Sequence, residues 1–193
     1  MNYRKHRWCK WRAAMLTAAA ILVALLTTTA HSASSSHVRL IDRLDRPSDG
    51  YCLDIPGTPA NLRIDIPMFA HNCKPRLTSD SAVKMTSEGL LRFTEVGLCL
   101  TAVGVNQHAL PGASLILRQC GRSTPFFDSA RFQAFVHGPD GRRQLKGSDL
   151  CLTVGNRSQV TYSPMDRWRT LFVEACAFAD PKRSRWEFVQ PEQ

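Results

Sequence analysis

No apolar run in this sequence reaches the roughly 20 residues that a membrane-spanning helix needs. The longest, Ala13 to Leu26, is 14 residues and almost unbroken. The seven cysteines include no C-x2–4-C pair, the spacing typical of structural zinc sites. No nucleophile motif frames a serine, and the six histidines include no i, i+4 pair. Beyond residue 33 no stretch keeps a sustained 3.6-residue apolar period, so no substantial helix is expected. These absences argue against a zinc module, a serine hydrolase, a metal site and a helical bundle. They predict a protein that is not an enzyme and has no cofactor.

What the first 33 residues do contain is a three-part pattern. Arg4, Lys5, Arg7, Lys10 and Arg12 form a basic head, the apolar run follows, and a Thr/Ala/Ser stretch then offers small residues such as Ala30 and Ser32. This is the layout of a secretory signal peptide, predicted over residues 1–33. The alternative, an uncleaved anchor, also leaves the remainder outside the cytosol. Cys9 precedes the apolar run, so it is not a lipoprotein cysteine. The mature chain is expected to be secreted, extracellular or, in a bacterium, periplasmic, with no transmembrane domain. The formal charge of +9 shrinks accordingly: five of the 25 cations and none of the 16 acids lie in this segment, which leaves 20 cations against 16 anions. So mild a balance predicts no nucleic-acid partner.

Removing Cys9 with that segment leaves six cysteines, an even number in an oxidising compartment. Their spacing repeats. Cys52 precedes Cys73 by 21 residues, Cys99 precedes Cys120 by 21, and Cys151 precedes Cys176 by 25. The opening cysteines sit in YCLDI, LCLTA and LCLTV, and the closing ones end PMFAHNC, SLILRQC and TLFVEAC. Openings recur at intervals of 47 and 52 residues, the mark of an internal repeat. A third landmark follows in AVKMT (82–86), RFQAF (131–135) and RWEFV (185–189), each read as a strand. Turn signals SEG and GPDG follow the first two. Roughly four short strands per copy, about twelve in all, suit an all-β closed barrel, which leaves no open sheet edge. Pairing each opening cysteine with the closing one of its own copy makes the copies alike; pairing across copies is the alternative.

On these landmarks the chain resembles the ricin B-type lectins. The resemblance covers residues 45–190 and implies a β-trefoil with repeats at about 45–93, 94–145 and 146–190, after a linker at 34–44. It also implies the intra-repeat disulfides Cys52–Cys73, Cys99–Cys120 and Cys151–Cys176. The family's Gln-x-Trp motif is matched incompletely. Ser184-Arg185-Trp186 keeps the Trp, Ala130-Arg131-Phe132 has Phe, and Ser81-Ala82-Val83 has neither.

The resemblance places a sugar site in the first repeat. Asp54 matches the sugar-binding aspartate, His71 stands at the aromatic platform two residues before Cys73, Asn72 is adjacent, and Asp80 falls at the polar contact before Gln-x-Trp. A carboxylate accepts strong charge-assisted hydrogen bonds from sugar hydroxyls, and a flat ring covers the C–H face. Thr101 and Thr153 replace the aspartate in the other repeats, with Arg118 and Glu174 at the platform, so these are expected to be scaffold copies. The expected function is non-catalytic carbohydrate binding, with glycans or glycoconjugates as partners. The alternative is a targeting subunit that docks a partner protein, as in a toxin complex; a trefoil protease inhibitor fits the cysteine pattern less well. Arg142-Arg143 and Lys182-Arg183 with Arg185 read as solvated loop charges. Asn156-Arg157-Ser158 is a glycosylation sequon, relevant in a eukaryotic secretory pathway.

Overall fold

The structure is a computed structural model that describes residues 34–191. The expected signal segment, Cys9 included, lies outside the described residues. Among these no helix is long and apolar enough to cross a membrane.

Among the described residues, twelve strands of three or more residues carry the fold. They are β1 (His37–Leu40), β2 (Tyr51–Asp54), β3 (Phe69–Asn72), β4 (Val83–Met85), β5 (Leu91–Phe93) and β6 (Leu98–Ala102), then β7 (Leu115–Gln119), β8 (Phe135–His137), β9 (Arg143–Leu145), β10 (Leu150–Val154), β11 (Arg167–Ala175) and β12 (Trp186–Val189). Two short helices, α1 (Ser129–Gln133) and α2 (Pro181–Ser184), precede β8 and β12. All pairing is antiparallel. One sheet runs β8-β9-β10-β11-β3-β2-β1-β12, and a second runs β7-β6-β5-β4. Instead of one continuous barrel ladder, single bridges such as Ser36 to Val83, Leu90 to Ala134 and Ser114 to Phe172 join the two sheets.

The cysteine-bearing segments form three hairpins in one register. Cys52 faces His71, Cys99 faces Arg118, and Cys151 faces Glu174. One residue on, Leu53 faces Ala70, Leu100 faces Leu117, and Leu152 faces Val173. Successive side chains of a strand point to opposite faces, so each leucine enters the core beside a cysteine that leaves it. Leu53, Leu100 and Leu152 are all 0% exposed. Disulfides join Cys52–Cys73, Cys99–Cys120 and Cys151–Cys176, each with Cα atoms 5.0 Å apart, as the within-copy pairing requires.

Three expectations need correction. Residues 34–44 are not a linker: Val38 and Leu40 are fully buried in β1, which pairs with β12 over four residues and also touches β2. RFQAF is not one strand. Asp128 caps α1 by accepting the Ala130 N–H at 3.0 Å, so residues 131–133 are helical and the strand starts at Phe135. The Gln-x-Trp position of the second copy therefore shifts. Phe135 donates its backbone N–H to Gly89 and Trp186 donates to Gly141, both at 2.8 Å, and both rings are 0% exposed. Gln133-Ala134-Phe135, not Ala130-Arg131-Phe132, is the counterpart of Ser184-Arg185-Trp186, so one copy does keep the glutamine.

Candidate functional site

The first hairpin ends with Asp54 opposite Phe69. The period of two puts Phe69 and His71 on the same face of β3, their ring centroids 5.8 Å apart. Ile55 donates its N–H to the Asp80 carbonyl at 2.9 Å, which draws the 78–81 turn against the end of β2. Both carboxyls thereby meet one cation. Lys74 Nζ donates to Asp54 Oδ2 at 2.7 Å and to Asp80 Oδ2 at 2.5 Å, and Thr78 Oγ1 donates to Asp80 Oδ1. The Asp54 and Asp80 side chains are 4% and 1% exposed, against 25% for Lys74.

Burial pushes the Asp54 carboxyl up to about 7, against the pull of the Lys74 ammonium. Burial works against the Lys74 charge, but the Asp54 and Asp80 carboxylates more than offset it and hold the ammonium above its ordinary value. Burial also lowers His71 below the usual imidazole value, so the ring is neutral at pH 7. Its Nδ1 lies 3.2 Å from the Asn72 carbonyl, which fits an Nδ1–H tautomer and leaves Nε2 as an acceptor 3.5 Å from the Thr161 hydroxyl.

Above this cluster opens a cleft of about 530 Å³. Asp54, His71, Lys74 and Asp80 form its polar floor, and Phe69 and Ile66 its apolar side. One rim is the Gly57–Thr58/Asn61–Leu62 turn, where Gly57 has φ +112° and a Cβ would lie 2.2 Å from the Asn61 carbonyl oxygen. The other rim comes from a distant part of the chain: Thr161, Tyr162 and Asp166, in the loop leading to β11.

Of the four residues expected at the site, the structure brings Asp54, His71 and Asp80 together. Asn72 is elsewhere. Its Oδ1 accepts the Arg167 backbone N–H at 3.1 Å, fastening β3 to β11, and it does not line the cleft. Sequence reasoning missed Phe69, Lys74, Thr161, Tyr162 and Asp166. Phe69 was within reach, two residues before His71 on the same strand face. The rest carried no local signal.

The other two copies are closed at the equivalent point. Thr101 Oγ1 donates to the Cys99 carbonyl at 2.9 Å and accepts from Gln133 Nε2 at 3.0 Å, and Thr153 Oγ1 donates to the Cys151 carbonyl at 3.0 Å. Both threonines are buried. Arg118 borders a separate cleft floored by Leu98, Leu117 and Phe127. Glu174 Oε2 is buried without a partner. Among the described residues no group of three His, Cys, Asp or Glu side chains could hold a metal ion.

No protein-family model matches the sequence, and no curated protein matches it. Solved structures do. The agglutinin from Abrus precatorius is 21% identical with a TM-score of 0.57, over 80% of this chain and 48% of that one, so this chain spans about half the agglutinin's length. The mdaA-1 domain is 14% identical with a TM-score of 0.58, over 84% of this chain and 97% of the domain. The β-trefoil lectin of the Vibrio vulnificus hemolysin/cytolysin, with N-acetyl-D-lactosamine bound, is 14% identical with a TM-score of 0.52, over 83% and 96%. Three disulfide hairpins in one register, an all-β core and these likenesses lead to one conclusion: the chain has a β-trefoil fold similar to that of the Vibrio vulnificus lectin domain.

Proposed function

We propose that this is a secreted, non-catalytic carbohydrate-binding protein whose sugar site is the cleft over Asp54, His71 and Asp80. The observation that carries the proposal is the convergence of two buried carboxylates and one ammonium beneath a wall made by the Phe69 and His71 rings. Sugar hydroxyls donate to the Asp54 carboxylate and accept from Lys74, which Asp80 holds in place, while the rings cover the C–H face of the pyranose. Each bond replaces one to water, so net gains are about 1 kcal/mol apiece and the affinity of a single site is modest. The sugar-bound state of the Vibrio vulnificus lectin domain supports this reading at the level of fold.

The test is a glycan array probed with the mature protein and with Asp54→Asn, which keeps the side chain's shape. Binding to a defined set of glycans, lost in the variant, is the expected result. No glycan bound at high protein concentration overturns the proposal. Recovery of a stoichiometric partner chain in that case favours the targeting-subunit alternative.

A further inference from the structure

The polar cleft does not end at Phe69. A second pocket of about 450 Å³ lies beyond it, walled by Ile66, Met68, Phe69, Trp168 and Leu171. Ile66, Phe69 and Thr161 line both spaces, so the two adjoin. Their chemistry differs sharply. The first contains Asp54, Lys74 and Asp80, whereas the polar side chains of the second are the hydroxyls of Ser114, Thr161 and Thr170. Apolar side chains stand unprotected near the junction: Ile66 is 37% exposed and Tyr162, on the rim of the polar cleft, is 79% exposed.

We propose that the cleft takes a glycoside bearing an alkyl chain, with the sugar over Asp54 and the chain laid along Phe69 and Trp168. This rests on the carbohydrate-binding reading above and specifies the ligand class. A second sugar ring in the apolar pocket would leave hydroxyls facing carbon, and unpaired polar groups are costly to bury. An alkyl chain there releases water from apolar walls and loses no hydrogen bond. The geometry favours a chain over an aromatic aglycone. The Phe69 and Trp168 rings are 5.9 Å apart and inclined at 48°, so they form an angled trough and not a parallel slot for a flat ring.

The probes are methyl and octyl β-D-galactopyranoside, the corresponding glucopyranosides, and octyl tetra(ethylene glycol), a sugar-free amphiphile, all below their micelle concentrations. Binding is followed by calorimetry and by tryptophan emission. Trp186 is fully buried and Trp168 is half-buried, so a blue shift on binding reports the second pocket. The expected result is an octyl glycoside bound about tenfold or more tighter than its methyl partner, equivalent to about 1.4 kcal/mol. Ile66→Asn, at a partly exposed position where folding is checked by melting temperature, should reduce that gain to under about threefold, while Asp54→Asn weakens both glycosides alike. Equal affinity of methyl and octyl forms overturns the chain subsite and leaves the sugar site standing. Binding of octyl tetra(ethylene glycol) as tight as the octyl glycoside, and unchanged by Asp54→Asn, overturns the sugar reading as well. Failure of every probe at millimolar concentration also overturns this proposal, and the glycan array then decides the sugar reading separately.

Discussion

Lys74 reaches back across 20 residues to donate to Asp54, with Nζ and Oδ2 2.7 Å apart. The contact places a cation on the carboxylate proposed to meet sugar hydroxyls, and Asp80 shares it. Lys74 is thus both the counter-ion that makes two buried carboxylates tolerable and a donor at the floor of the cleft.

Replacing Lys74 with Met removes that counter-ion and leaves Asp54 and Asp80 facing each other. Breaking a buried ion pair from one side costs about 3 kcal/mol. The loss should be larger at pH 8 than at pH 5, because protonation relieves the repulsion at the lower pH. Chemical denaturation at the two pH values measures it, and equal losses would show that the carboxyls do not interact.

Asp54 gives the wild-type protein its own pH signature. Its carboxyl is raised to about 7 from an ordinary value of 3.8. The folded state therefore holds a proton the unfolded chain would release. Relative to Asp54→Asn, stability from this group is fully present below about pH 4 and is lost as pH rises through 7. Sugar binding should run the opposite way, strengthening from pH 5.5 to 8.5 as the carboxylate forms. Burial also disfavours the His71 imidazolium, so the ring is neutral over most of this range and does not reverse the trend. Titration calorimetry across this range checks the binding trend, and denaturant titration of the wild type against Asp54→Asn from pH 4 to 8 checks the stability trend.

Gln133 is 0% exposed and spends its whole carboxamide inside the protein. Nε2 donates to Thr101 Oγ1 and to the Gln119 carbonyl, and Oε1 accepts the Gly121 N–H. Gln133→Ala strands these partners and should cost about 2–4 kcal/mol. Glycan binding should be unaffected, since the proposed site lies in the first copy. Melting temperature together with array binding separates the two effects.

The Cys99–Cys120 disulfide closes the hairpin of the second copy. Replacing both cysteines with Ala should lower stability by about 2–5 kcal/mol, measured by denaturant titration under non-reducing conditions. Ligand affinity, measured well below the new midpoint, should change little.

The three hairpins were legible because their cysteine spacing and flanking leucines recur, and burial demands the same pattern in each. Other features left no such trace. Gln133 lies 13 residues beyond Cys120, while Ser184 lies eight beyond Cys176. Most of the extra residues lie between Cys120 and α1, since α2 holds the equivalent place in the third copy, and they defeat a match made at a fixed offset. β1 is not legible as a strand because its main partner, β12, lies at the far end of the described fold and no local turn announces the pairing. At the site, Asp54, His71 and Asp80 share one copy and could be read from its motifs. Tyr162 and Asp166 come from the third copy, and the pairing of residues 168–170 with 69–71 carries their loop to the first. Lys74, one position after a cysteine, looks like any surface lysine until two acids are found around it.

The pairing of His37 with Val189 sets the two ends of the described fold side by side, about 5 Å apart in the ladder. Circular permutation should therefore succeed: a short glycine-rich joint can connect these strands, with new termini opened at the exposed Gly112 or Gly121 turns. For the same reason, any cargo joined just before His37 or just after Val189 would leave the described fold from one spot on its surface, and two such fusions would crowd each other.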